Sequence, residues 1–207
     1  MKKEKVLILA VTFLAFIAVA LLLIKPANAQ EEVIVFVDAP DQVEPGTLQV
    51  RINITEVTGL YGWEFKLYYE NYLLNFTGYD LTGCLLESVG ETFQVDKSNN
   101  EFNSTHGLVW LADTLLGAST GVSGSGTLVI LNFKTVDNLG SAHLVFEDLN
   151  AEAEGKNIKL GDKEANPIPN TAVDKTFEIV PEFTSSILLI ALFVSSAMAV
   201  YLVKKRK

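Results

Sequence analysis

Cysteine and histidine are nearly absent from this chain. Cys84 is its only cysteine, so no disulfide can form within the chain and stability has to come from packing. Burial as a small hydrophobe is the most common role of such a residue, and an intermolecular bridge is the alternative. His106 and His143 are the only histidines, and neither lies in a zinc-ligand spacing, so we expect no metal site and no cofactor within the chain.

Basic residues are scarce between the two ends. Residues 30–180 contain 23 Asp or Glu and 8 Lys or Arg, which gives a formal charge of −15. A surface that negative repels phosphate backbones, so the sequence predicts no nucleic-acid partner.

The first 29 residues have the pattern of a secretory signal peptide. Three lysines precede an apolar run from Val6 to Ile24, and the small-residue tripeptide 27–29 follows. This pattern predicts cleavage between Ala29 and Gln30, with an uncleaved membrane anchor as the alternative.

The last 27 residues, 181–207, form a second membrane-directed segment. Residues 187–203 are uncharged and largely apolar, and the basic cluster 204–207 follows directly. Because Lys and Arg stay on the cytoplasmic side, we predict a transmembrane helix over 187–203. We therefore expect residues 30–180 to form one extracellular domain anchored at the cell surface.

Helical periodicity is absent from the domain, and patterns of period two dominate it. In residues 63–69 the side chains of Trp63, Phe65, Leu67 and Tyr69 share one face, which we expect to be buried, and Tyr68 points outward. Trp110 is also expected in the core. The pattern predicts an all-β antiparallel sandwich with strands at 33–37, 48–54, 63–69, 108–112, 127–136, 142–146 and 176–180.

Motifs for catalysis and metal binding fail on context. Ser119 lies in a Gly-x-Ser-x-Gly pattern, but a Gly/Ser-rich loop between strands does not provide the strand-turn-helix that a nucleophile elbow needs. We therefore predict no catalytic residue and no enzymatic activity. Residues 147–154 space acidic side chains as calcium loops do, yet they lack the glycine and glutamate positions of an EF-hand. A solvated acidic hairpin is favoured, and weak calcium binding is the alternative.

Three Asn-x-Thr sequons lie in the exported part, at Asn53, Asn75 and Asn103. This triplet is the acceptor pattern for N-glycosylation outside the cytoplasm. Asn103 is the favoured site because it lies in the polar stretch 97–106.

Four segments, taken in order, resemble cohesin domains. The stretch Gly-Leu-Tyr-Gly-Trp-Glu-Phe-x-Leu-x-Tyr at 59–69 is similar to the third-strand region of that family. The other similar segments are 44–54, 126–134 and 146–158. The resemblance implies a jelly-roll sandwich of about nine strands that is non-catalytic and binds a dockerin, a protein module that carries the calcium itself.

The resemblance also implies contact residues. An Asn and an Asp that hydrogen-bond the dockerin in the family fall here on Gly62 and Glu64, and a further acidic position falls on Asp113. We expect Glu64, Tyr68 and Asp113 to be the polar partner-binding contacts.

Two other functions stay open at this stage. The same fold could bind a polysaccharide, with Tyr61, Tyr68 and Tyr72 as exposed stacking rings, or it could be a structural component of the cell envelope. The tripeptide Pro181, Glu182 and Phe183, followed by the apolar and basic segments, resembles the PEF-type sorting tail of archaeal surface proteins that archaeosortases process. A permanent transmembrane anchor is the alternative.

Overall fold

Alternating apolar residues form twelve β-strands in the computed structural model, which describes residues 32–146, 158–182 and 194. The strands are β1 (Ile34–Asp38), β2 (Gln42–Val43), β3 (Thr47–Leu60), β4 (Gly62–Glu70), β5 (Leu74–Asp80), β6 (Thr92–Asp96), β7 (His106–Leu115), β8 (Val122–Thr135), β9 (Gly140–Leu144), β10 (Ile158–Gly161), β11 (Thr171–Val173) and β12 (Lys175–Ile179). Each of the seven predicted strands coincides with one of these, so the all-β prediction is confirmed.

Hydrogen bonds join the strands into three sheets. The first has the order β11-β1-β3-β8-β5, the second β10-β4-β7-β6 and the third β2-β12-β9. A bridge between Tyr68 and Val145 connects the third sheet to the second. The first sheet packs against the other two as a sandwich, and aromatic contacts such as Tyr69 with Phe133, 5.1 Å between ring centroids, cross between the layers.

The core consists of the inward positions that the alternation predicts. Trp63, Phe65, Leu67 and Tyr69 of β4 are all buried. This confirms the predicted inner face of β4. Val129, Leu131 and Phe133 of β8 are buried as well. Because the side-chain period of a strand is two, the intervening residues of β4 and β8 face outward.

The predicted antiparallel pairing does not hold at two edges of the sandwich. β11 pairs with β1 in parallel, and β2 pairs with β12 in parallel. β2 and β11 contain only two and three residues, too few for an alternation to be recognised. These short strands, together with β5, β6 and β10, also bring the count above the nine that the family resemblance implied.

The two ends of the chain and the acidic segment lie outside the described residues. This applies to the predicted signal peptide, to Phe183 of the sorting motif, to residues 147–157 and, apart from Val194, to the predicted transmembrane helix. Within the part that the structure describes, no helix is long and apolar enough to cross a membrane.

Candidate functional site

The outer face of the four-stranded sheet has an apolar part and a basic part. Cross-strand pairing places Val95 of β6, Ala112 of β7, Glu64 of β4 and Lys159 of β10 in one row across the sheet. The row beside it contains Phe93, Thr114, Gly62 and Gly161. We call this surface the β6–β10 face.

A groove of about 800 Å³ runs over the apolar part of the β6–β10 face. Its floor includes Gly62, Ala112 and Thr114, and Phe93, with 57% of its surface exposed, forms one side. A side chain at position 62 would press on Thr114, since an added Cβ would lie 3.0 Å from Thr114 Oγ1. Glycine at this position therefore keeps the floor of the groove open.

The loop of residues 162–170 forms the opposite side of the groove. Asp162 holds this loop by accepting hydrogen bonds from the backbone N–H of Asn166 at 2.7 Å and from Asn166 Nδ2 at 2.9 Å. These hydrogen bonds lower the pKa of Asp162. Ile168 N–H donates to the carbonyl of Leu160 at 2.9 Å and ties the loop to β10, so Pro167, Ile168 and Pro169 face the groove.

Trp110 lies in the basic part of the β6–β10 face, so its predicted place in the core is wrong. Lys66, its cross-strand neighbour on β4, places its Nζ 4.4 Å from the centroid of the indole ring. Lys97, which follows β6 and donates its backbone N–H to the Trp110 carbonyl, places its Nζ 4.8 Å away. β4 and β6 flank β7 on opposite sides, so two ammonium groups approach the ring from the two neighbouring strands, and cation–π attraction stabilises these contacts.

Glu64 connects the basic part to the rest of the face. Its Oε1 accepts a hydrogen bond from Trp110 Nε1 at 3.0 Å, and its Oε2 lies 3.3 Å from Lys159 Nζ. The side chain of Glu64 points outward, and 28% of its surface is exposed. Glu64 is therefore the one predicted contact residue that lies on the β6–β10 face with an accessible carboxylate.

Asp113 does not lie on this face, which corrects the prediction of a surface contact. It occupies an inward position of β7, opposite Trp63, and only 3% of its surface is exposed. Gln94 Nε2 lies 3.5 Å from its Oδ1. Burial raises the pKa of Asp113, and hydrogen bonds from Thr92, Gln94 and the Thr114 backbone oppose part of the rise. An acid in this position acts on the stability of the fold and offers no carboxylate to a partner.

Tyr68 points outward as predicted, yet it is covered and 2% exposed. The ring of Phe102 packs against it edge to face at 5.4 Å, and its backbone pairs with Val145. The predictions that Tyr68 contacts a partner and that its ring stacks on a sugar are therefore both wrong.

The other two tyrosines proposed for stacking lie far apart. Tyr61 precedes β4, is half-buried and donates its hydroxyl to the Ala118 carbonyl at 3.3 Å. Tyr72 follows β4 and is 51% exposed. The nine residues of β4 separate the two tyrosines by about 30 Å at the usual rise of a strand. These rings therefore do not form one continuous platform.

The three sequons differ in their surroundings. Asn53 lies on β3 between two partners, since its Nδ2 donates to Asp38 at 3.3 Å and its Oδ1 accepts from Thr127 at 2.8 Å. Asn75 and Asn103 are exposed. Asn103 accepts backbone hydrogen bonds from Thr105 and His106 through its Oδ1. Glycosylation at all three positions stays a prediction.

Metal binding has no support in the described part of the chain. Across residues 32–146 and 158–182 there is no group of three or more His, Cys, Asp or Glu side chains that could hold a metal ion. The acidic segment 147–154, considered above for calcium, lies outside the described residues.

No family model and no curated protein matches the chain. Solved structures do match it. A non-cellulosomal cohesin from the hyperthermophilic archaeon Archaeoglobus fulgidus matches 72% of this chain over 91% of its own length, with 15% identity and a TM-score of 0.52. A type II cohesin from the cellulosome of Acetivibrio cellulolyticus matches 72% over 94%, with 17% identity and a TM-score of 0.55. A chain of a type I cohesin–dockerin complex from Clostridium thermocellum matches 72% of this chain over 100% of its own length, with 13% identity and a TM-score of 0.57.

The chain has the cohesin fold. The predicted resemblance is therefore confirmed at the level of the fold. The residues that sequence reasoning missed on this cohesin-like sandwich are Phe93 and Val95, in the apolar part of the β6–β10 face, and Trp110, in its basic part. In β6 the apolar residues Phe93 and Val95 alternate with polar ones, which is a strand pattern. The strand is only five residues long, too short for this pattern to stand out.

Proposed function

We propose that this chain is a non-catalytic, cohesin-like module that binds a dockerin-type protein through the β6–β10 face. The observation that carries the proposal is the groove on that face, where the side chains of Phe93 and Val95 stay exposed on an edge strand beside Ala112. Exposed apolar side chains around a groove are typical of protein interaction sites. Several of the matching cohesins were solved in complex with dockerins, which supports a partner of the same kind here.

Recognition would combine apolar burial with polar contacts at the edge of the groove. The partner's apolar side chains would cover Phe93, Val95 and Ala112, and Glu64 would accept hydrogen bonds from it. Tyr68 and Asp113 take no part, because both are buried in the structure. The calcium in this interaction belongs to the dockerin, where it holds the partner in its folded form.

Polysaccharide binding is the less favoured function. A sugar chain is recognised by flat, exposed aromatic surfaces, and the two tyrosines that remain accessible lie at opposite ends of β4. The ammonium groups of Lys66 and Lys97 both lie over the ring of Trp110. A purely structural envelope role would leave the exposed apolar groove without a purpose.

The test is capture of extracellular proteins of the host on the immobilised full-length chain, with calcium and with a chelator. Ala112→Arg places a long charged side chain in the centre of the face, while Gln49→Arg makes the same change on the exposed outer side of β3. We expect a calcium-dependent partner on the wild type and on Gln49→Arg but not on Ala112→Arg. A partner retained by Ala112→Arg, or none under either condition, would refute the proposal.

We further propose that the module is displayed at the cell surface, on the outer side of the plasma membrane. The signal-peptide pattern of residues 1–29 and the apolar and basic segment 187–207 support this location. Mass spectrometry of protein from native membranes tests it. We expect a mature chain that begins at Gln30, with a carboxy-terminal end either intact or replaced by a lipid near Pro181. Recovery of the unprocessed chain from the cytosol alone would contradict it.

A further inference from the structure

Basic residues concentrate on the β6–β10 face although the domain as a whole is strongly acidic. Lys66, Lys97, Lys159 and Lys163 lie on this face or beside its groove. Residues 30–180 carry only eight Lys or Arg against 23 Asp or Glu. The face also carries the carboxylates of Glu64 and Asp162, so its positive charge is concentrated in the basic part around Trp110, which attracts groups of the opposite charge.

Two of these lysines have no carboxylate partner among the described residues. The ion pairs that the described part of the chain forms involve Lys159, Lys175 and His143, while Lys66 and Lys97 each contact the Trp110 ring. Their Nζ atoms lie 4.4 and 4.8 Å from one ring centroid and so are no more than 9.2 Å apart. Two positive charges at this separation repel one another, and an anion close to both would offset the repulsion.

The surroundings of Trp110 favour a protein anion over an acidic sugar. A uronic acid would need a free aromatic face for its ring, but Lys66 and Lys97 both place their ammonium groups over the indole. Trp110 Nε1 is already bonded to Glu64. A carboxylate on a side chain needs only the two ammonium groups and no stacking surface.

The basic pair also stands at a defined distance from the apolar groove. Ala112 and Trp110 are successive outward positions on β7, so they lie about 7 Å apart along the strand. Side chains four residues apart on a helix are separated by about 6 Å along its axis. One helix of a partner can therefore place an apolar side chain over Ala112 and a carboxylate close to Lys66 and Lys97.

We infer that the partner of this face is acidic, and that it binds through a helix bearing an apolar residue and an Asp or Glu one turn away. Lys66 and Lys97 hold the carboxylate, and the groove holds the apolar side chain. This inference rests on the proposed function, because it names the chemistry of the partner for the same face.

The experiment presents a displayed library of helical peptides, each about 20 residues long, to the full-length chain in mild detergent. The bait is the wild type, the charge-reversal variant Lys66→Glu/Lys97→Glu, or the control Arg51→Glu/Lys134→Glu. Arg51 and Lys134 are exposed residues of β3 and β8, in the other layer of the sandwich. Circular dichroism checks that each bait is folded.

We expect the wild type and the control to enrich peptides with Asp or Glu four residues from an apolar anchor. Peptides selected in this way should lose about tenfold in affinity for Lys66→Glu/Lys97→Glu, and the loss should shrink as salt is added. Polygalacturonate, an acidic polysaccharide, serves as a competing probe and should not displace the peptides.

Three results would overturn the inference: no enriched peptide, enrichment without an acidic preference, or equal selection by the charge-reversal variant. Tight binding of polygalacturonate at Lys66 and Lys97 would overturn it in favour of an acidic glycan. A calcium-dependent partner captured from the host, together with any of these results, would leave the proposed function standing and reject only the acidic helix.

Discussion

Asp113 illustrates how one buried side chain makes stability depend on pH. Burial raises its pKa above the ordinary value of 3.8, so the folded state holds the proton more tightly than the unfolded state does. Stability therefore falls as pH rises from 3.8 through the raised pKa. At neutral pH the ionised carboxylate opposes folding.

We predict that Asp113→Asn increases the free energy of unfolding at pH 7, since the amide keeps its hydrogen bonds without a buried charge. The increase should diminish towards zero as pH falls through 3.8, where the aspartic acid is neutral as well. Urea denaturation at several pH values measures this. Asp137→Asn, an exposed control with the same change in charge, should give no comparable gain. An equal or lower stability of Asp113→Asn at pH 7 would show that the ionised form is well solvated.

The close packing of Tyr69 requires glycine at position 107. A Cβ at this position would lie 2.2 Å from Tyr69 Cζ. Tyr69 cannot easily withdraw, because it is buried and its hydroxyl donates to Asn100 Oδ1. Asn100 is itself fixed by two hydrogen bonds with the backbone of Phe76, at 2.8 and 3.0 Å.

We predict that Gly107→Ala destabilises the domain by about 1–3 kcal/mol, because the added methyl group overpacks a site that has no room to relax. Gly90→Ala is the matched control, since an added Cβ there has nothing within 4 Å. Denaturant midpoints of the two variants, measured side by side, check the prediction. Equal midpoints would mean that Tyr69 moves at little cost.

At the scale of elements, β8 organises the first sheet. It pairs with β3 on one side and with β5 on the other, and its inward residues form the centre of the core. Leu131 is fully buried at the point where Val50 of β3 and Tyr79 of β5 pair with it.

Leu131→Ala should cost about 2–5 kcal/mol of unfolding free energy through lost burial and a residual cavity. Asn132→Ala changes the next residue of the same strand, whose outward side chain only accepts a hydrogen bond from Gln49 at 3.1 Å. That variant should change the free energy of unfolding by less than about 1 kcal/mol. Thermal or chemical denaturation measures the difference, and similar losses for both variants would contradict the assignment of faces.

The molecule as a whole relies on packing, and its single thiol reports on that packing. Cys84 is buried, and burial, together with the nearby charges of Glu87, Asp80 and Asp113, raises the pKa of its thiol to about 11. The thiolate is the reactive form of cysteine. At pH 8 the fraction of Cys84 present as thiolate is therefore about a hundredfold lower than that of a thiol with the ordinary pKa of 9.0.

We predict that a thiol reagent at pH 8 labels the native chain very slowly and labels the chain in guanidinium rapidly, with one label per chain. The rate under native conditions should follow the opening of the core around Cys84. Rapid labelling of the native chain would contradict the burial of this residue. Recovery of a dimer that dissociates on reduction would favour the intermolecular bridge.

Alternation by itself determined where β4 and β8 lie and which of their side chains face the core, because period two is a local property of the chain. The alternation did not show which side chains of β7 face the core. Its segment Gly-Leu-Val-Trp-Leu-Ala is apolar at nearly every position, so nothing in it shows that Trp110 faces outward and Asp113 inward.

Only the tertiary structure decided which outward residues are accessible. Tyr68 has the parity of a surface residue and is buried by Phe102, which lies far from it in sequence. Lys66 and Lys97 meet at Trp110 because β4, β7 and β6 are neighbours in the sheet, an order that depends on non-local hydrogen bonds. The sequence determined the composition of the strands, whereas the pairing of strands distant in the chain determined the β6–β10 face.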